Sequence, residues 1–138
     1  MTGKRIQDLT VGDHAEKINV ITQEDAQNYA AITGDNNPLH FETEEAYQSR
    51  YGKPIAHGMI LAGFISGVIG AALPGPGCIY QSQSMDFLLP VYYNDTILTR
   101  VTVIACNPER NRLTLRTECF NQNQELIVTG EALVLPRK

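Results

Sequence analysis

The stretch GMILAGFISGVIGAAL, residues 58–73, decides the architecture. It is apolar all round, so it reads as a helix buried on most of its sides. Gly58, Gly63, Gly67 and Gly70 are poor helix formers, each costing up to ~1 kcal/mol relative to alanine. A helix that accepts this cost is expected to let other backbones approach closely. PGPG, residues 74–77, stops it. The run is shorter than the ~20 residues a bilayer requires and holds a serine, so no membrane span is expected.

Downstream of this helix the pattern changes to period two. Residues 78–87 read as a strand, and LLPVYYND follows as a connection with a turn at Asn94 and Asp95. Residues 96–105 are rich in β-branched side chains, and NPERN is a turn. Residues 112–120 alternate, with Leu113, Leu115, Thr117 and Cys119 on one face. NQNQ turns the chain into a last strand, residues 125–135. Long runs joined by short turns read as an antiparallel meander. Upstream, residues 13–21 read as a strand. Thr22 caps a short helix that Gly34 ends, and Thr43 caps a second one in EEAYQSR. Segregated helices and strands mean α+β, with one apolar helix against a curled antiparallel sheet.

Composition bounds the function. A chain of 138 residues fits one domain, residues 1–138, and buries roughly two-thirds of its unfolded surface. The net charge of −4 argues against a nucleic-acid partner. No P-loop, GxGxxG, GxSxG or HExxH spacing is present. Cys78, Cys106 and Cys119 form no CxxC pair, and no apolar secretory segment opens the chain. Reduced thiols in the cytoplasm are expected, with Cys106 and Cys119 as buried inert groups.

Two short stretches carry chemistry. In ITGDNNPLH, residues 32–40, Pro38 fixes its own φ and pushes Asn37 out of the α region, which stiffens the turn. Asp35 and His40 stand five residues apart around that turn. A carboxylate and an imidazole suit general acid–base work near neutral pH, although Asx-turn chemistry explains the same letters. In AHGMILAGFIS, His57 and Gly58 stand at the start of the apolar helix. Its N-terminus offers free backbone N–H groups for a carbonyl oxygen or oxyanion. By itself His57 reads as a structural histidine, and Ser66 as a hydroxyl bonded back one turn. Tyr92 and Tyr93 read as loop packing.

Together and in this order, YAAITGDNNPLHFETEEA and IAHGMILAGFISGVIGAALPGPGCIYQSQSMDFLLPVYYNDTI resemble the hydratase domain of MaoC-like proteins. The likeness spans residues 11–135 and is greatest to the short, single-domain (R)-specific enoyl-CoA hydratases. It implies a hot dog fold, a curved antiparallel sheet wrapped around the helix at 58–73. It also implies a homodimer with the sheets edge to edge. Asp35 and His40 match the catalytic pair. Asn37 matches the amide that braces the loop, and Ser66 a serine near the aspartate. Gly58 matches the residue whose N–H polarises the thioester carbonyl.

The implied reaction is reversible syn addition of water to a trans-2-enoyl-CoA, giving an (R)-3-hydroxyacyl-CoA. Asp35 is the favoured base and His40 the acid. The acyl tail is expected along Ile69 and Leu133. No metal or redox cofactor is required, coenzyme A being part of the substrate. Supply of polyhydroxyalkanoate monomers and fatty-acid degradation are both open uses. Rival readings are a hot dog thioesterase, a β-hydroxyacyl-carrier-protein dehydratase, and a non-catalytic acyl-CoA-binding domain.

Overall fold

The computed structural model describes residues 2–138. After a short 3-10 turn at Ile6–Asp8 the order is β1 (His14–Val20), α1 (Gln23–Thr33), a 3-10 turn at Pro38–His40, α2 (Glu44–Gln48) and α3 (Gly58–Ala71). Then come β2 (Ile79–Gln83), β3 (Asp86–Phe87), β4 (Thr96–Asn107), β5 (Arg112–Phe120) and β6 (Leu126–Leu135). The six strands form one antiparallel sheet in the order β1-β4-β5-β6-β2, with β3 also paired to β6. This is the hot dog arrangement that the resemblance implies.

The meander follows from alternation. Ile97, Val101 and Val103 of β4 point the same way as Leu113, Leu115 and Cys119 of β5 and as Ala132 and Val134 of β6, and all are buried. Against this face α3 lays Ile60, Leu61, Ile65, Val68 and Ile69. Burying each such side chain stabilises the fold by about 1.5–3 kcal/mol before entropy is subtracted. Thr99 and Thr117 lie among these apolar residues, and each side chain finds a partner, Thr99 with the Cys119 thiol and Thr117 with Gln83.

The local signals at the helix ends hold. Thr22 accepts from Asp25 N–H while the Asp25 carboxylate accepts from Thr22 N–H, a reciprocal cap on α1. Gly34 closes α1 at φ 78°, in the left-handed region that glycine enters freely. Thr43 caps α2 through Ala46 N–H. That helix stops at Gln48, two residues before the end of EEAYQSR, because the Ser49 hydroxyl takes the Ala46 carbonyl instead.

Two expectations are corrected. The apolar helix is not enclosed on most sides: Met59, Gly63, Ser66, Gly67 and Gly70 are exposed. A Cβ built on Gly63, Gly67 or Gly70 meets nothing within 4 Å, so among the described residues no backbone packed against α3 uses those glycines for close approach. The strand expected at 78–87 is two strands. Between them Ser84 crosses over Gly130 of β6, where a Cβ would lie 1.8 Å from the Ser84 carbonyl oxygen. The crossing is pinned by Ser84 N–H to the Glu131 carbonyl at 2.9 Å and by Glu131 N–H to the Ser84 hydroxyl at 3.1 Å.

Gly130→Ala must therefore push β2 and β3 off β6. Thermal unfolding should show a loss of about 1–3 kcal/mol, the usual cost of overpacking.

Candidate active site

Three segments converge at the N-terminal end of α3. The first is the Asp35 loop. Asp35 N–H donates to the Thr33 hydroxyl at 3.2 Å, and Asn37 N–H donates to Asp35 Oδ1 at 3.2 Å. Asn37 Oδ1 in turn accepts from Leu39 N–H at 3.1 Å, which caps the Pro38–His40 turn. Asn37 thus braces the loop through its own hydrogen bonds. The proline at the head of that turn has its φ already set.

The second segment carries His40. Its Nδ1 lies 2.8 Å from the Ile55 carbonyl. A carbonyl only accepts, so the proton sits on Nδ1, and Nε2 presents a lone pair. Burial lowers the His40 pKa from the ordinary 6.5; the hydrogen bond to Ile55 opposes that shift without cancelling it. Tyr93 fixes the backbone here, its hydroxyl lying 2.7 Å from the His40 carbonyl and 3.2 Å from that of Ile55. Burial raises the Tyr93 pKa to about 12, so the phenol keeps its proton and remains a donor. Tyr93 is therefore more than loop packing. Nothing in the sequence marks it, because its target lies 53 positions away.

The third segment is the start of α3. The side chains of Thr22 and Thr43 cap α1 and α2, but no side chain caps α3. The His57 ring is drawn elsewhere, with Nε2 3.0 Å from the Asp35 carbonyl oxygen. The first N–H groups of α3, Gly58 among them, are left for a ligand. Gly58 and His40 line one cavity of about 350 Å³, walled by Ile55, Met59, Leu61 and the segment 87–91. A Cβ on Gly58 would sit 2.8 Å from the Phe87 ring, so glycine keeps this wall close to the helix end.

Asp35 stands beside His40 but is not among the residues that line the cavity, and its side chain is 46% exposed. One donor atom from each of Asp35, His40 and His57 lies within 4.8 Å of the other two. His57 Nε2 is engaged by the Asp35 carbonyl. The expected set is thus partly assembled. Asp35, Asn37, His40 and Gly58 come together, while Ser66, Ile69 and Leu133 do not join them. Ser66 lies two turns along α3, about 12 Å at 1.5 Å per residue, on an adjoining groove with Tyr80 and Met85 that shares Met59 and Phe87 with the cavity. Ile69 is sealed in the core. Leu133 points from the other face of β6, beside Ser82 and Thr114. Alternation along β6 turns Ala132 and Val134 inward and Leu133 outward. The apolar wall of the cavity is Phe87, at the end of β3, with the irregular connection 88–91, which has no period to reveal it.

The family model for a MaoC like domain matches residues 10–122. The chain belongs to that family. It is 40% identical over 128 residues to an (R)-specific enoyl-CoA hydratase of Aeromonas caviae, covering 93% of this chain and 96% of the relative. It is 41% identical over 133 residues to a 3-hydroxybutyryl-CoA dehydratase of Methylorubrum extorquens, covering 96% of this chain and 84% of the relative. In structure it is similar to an unliganded R-hydratase from Pseudomonas aeruginosa, with a TM-score of 0.92 and 36% identity over 99% of this chain and 88% of that one.

Tyr93→Phe removes the hydroxyl that holds the His40 carbonyl. Denaturant unfolding should register about 1 kcal/mol of lost stability, the net worth of one such hydrogen bond.

Proposed function

We propose that this protein is an (R)-specific enoyl-CoA hydratase, adding water reversibly and syn to a trans-2-enoyl-CoA. The observation that carries this reading is that His40 and the uncapped N-terminus of α3 line one apolar cavity, with the Asp35 carboxylate beside His40. The named activities of the relatives support it.

The thioester carbonyl would face the Gly58 N–H, and the acyl chain the apolar wall. One water would bridge the Asp35 carboxylate and His40 Nε2. The hydrogen bond to Ile55 and the lowered pKa leave His40 without a second proton at neutral pH. On this reading His40, rather than the favoured Asp35, is the base, its resting ring an acceptor. His40 takes a proton from the water as the oxygen attacks Cβ. Negative charge then grows on the thioester oxygen, where the helix N-terminus stabilises it more than in the ground state. The imidazolium so formed returns the same proton to Cα on the same face, which makes the addition syn. Asp35 orients the water through its other hydrogen and balances the transient positive charge. One O–H bond of water and the π bond between Cα and Cβ break, one C–O and one C–H bond form, and both side chains end as they began.

We further propose a homodimer. The exposed stripe of α3 and the apolar residues Ile79 and Tyr80 on the outer strand β2 offer it a surface, and light scattering at micromolar concentration should give twice the chain mass. The three cysteines are free, which suits the reducing cytoplasm.

With crotonyl-CoA the enoyl absorbance should fall and chiral analysis should return the (R)-3-hydroxy product. Release of free thiol, binding without turnover, or turnover only of carrier-bound chains would each favour a rival reading. Asp35→Asn and His40→Gln should lower kcat about 10²–10⁴-fold while folding normally. Because burial favours the neutral ring, the water-accepting form persists below pH 6.5. The His40 limb of the kcat/KM profile should therefore lie on the acid side of that value.

A further inference from the structure

The mechanism leaves one histidine at the site without a task. His57 is 2% exposed, packed among Tyr29 at 4.7 Å, Phe41 at 6.0 Å and His40 at 3.8 Å between ring centroids. The His40 and His57 planes are 32° apart, so one imidazole lies on the other. Its Nε2 reaches the Asp35 carbonyl at 3.0 Å, which places the proton on Nε2. Its Nδ1 is buried and has no hydrogen-bond partner among the described residues. A residue that only filled this space would be better apolar, since a buried unpaired nitrogen costs stability.

The hydrogen bonds around the loop show what His57 does. Residues 34–37 bond to Ala30, to Thr33, to one another and to Leu39 and His40. Those partners all belong to the same short run of chain. Among the described residues, the bond from His57 is the one that ties this exposed loop to an element distant in sequence, 22 positions on. His40 is held separately, through Ile55 and Tyr93. Without His57 the loop that carries Asp35 is held to His40 by these local bonds alone, while His40 keeps its own distant anchors.

We propose that His57 is a positioning residue that sets Asp35 against His40. Its Nε2–H clamps the Asp35 backbone, and its ring is the platform on which the His40 imidazole rests. Being residue 57, it also ties both to the Gly58 N–H next along the chain. One side chain thereby references the water-holding pair and the carbonyl site to a single point at the end of α3. Its ring belongs to the packing, and its Nε2–H belongs to the geometry of the reaction. This role rests on the hydratase reading for its effect on rate, but the clamp itself does not.

Three variants separate the two halves of the role. His57→Gln keeps an N–H donor and loses the ring. His57→Phe keeps a ring and loses the donor. His57→Ala loses both. Each is checked for folding by circular dichroism and thermal unfolding, then assayed with crotonyl-CoA. We expect kcat to fall roughly 10- to 100-fold in His57→Gln and His57→Phe, as for sub-ångström to ångström misplacement of reacting groups. KM should stay within about threefold, because the interaction lost acts in the transition state. In the nitrogen NMR spectrum of the free protein, the His40 titration should rise towards 6.5 in both variants, and further in His57→Gln, which also uncovers the His40 ring, than in His57→Phe. Folded variants with kcat within about twofold of wild type, or a rise in KM matching the loss with the His40 titration unmoved, would overturn the proposal.

The wild-type protein supplies a test that needs no variant and no substrate. Long-range proton–nitrogen spectra should show His57 as the Nε2–H tautomer with a slowly exchanging proton. An Nδ1–H tautomer would remove the clamp and with it the proposal, even if every variant failed to fold. If wild-type protein does not hydrate crotonyl-CoA, the hydratase reading falls on that result, while the tautomer still decides the clamp.

Discussion

Helix α3 carries aliphatic side chains on nearly every turn, and water does not hold such a helix in isolation. The sheet exists in its curved form to cover it. β4, β5 and β6 supply the inward-facing aliphatic rows that meet Ile60, Leu61, Ile65, Val68 and Ile69, and the crossing at Gly130 lets β2 and β3 both pair with β6. Because α3 is locked in place along its length, its N-terminal end is a fixed point. Every group with a chemical role is referenced to that end.

The site depends on a trade at this fixed point. A helix N-terminus normally takes a side-chain cap, as Thr22 and Thr43 provide for α1 and α2. At α3 the residue in the cap position turns its ring to the Asp35 loop instead. The helix forgoes the stability of a cap, about 1 kcal/mol in typical cases. In return its first N–H groups stay available, and the carboxylate loop is anchored. Local stability is given up where the chemistry needs open donors, and the buried aliphatic rows make good the loss.

Electrostatics at the site follow from depth. Asp35 is half exposed on its loop, while His40 is partly buried and its ring is covered by His57. Burial lowers the His40 pKa and so favours the neutral imidazole. Tyr93 and Ile55 reach the same place from connections far along the chain. They set the tautomer and the backbone on which it depends.

The sequence by itself determined the elements and the chemical alphabet. Period-two alternation in residues 112–120, the caps at Thr22 and Thr43 and the glycine stop at Gly34 are local signals, and local signals survive without tertiary context. The pairing of GDNNPLH with AHGM also pointed to Asp35, His40 and Gly58, because each motif shapes its own few residues. What the sequence did not hold was orientation over distance. Whether Gly63 and Gly67 face a neighbour or open space depends on where the sheet stops. The same holds for Leu133, which faces outward, for the break at Ser84, forced by Gly130, and for Tyr93, which reaches His40. His57 shows the difference most plainly. Its letter was visible beside Gly58, but its role comes from two contacts, to residues 22 and 17 positions earlier, and only the packed chain brings those atoms together.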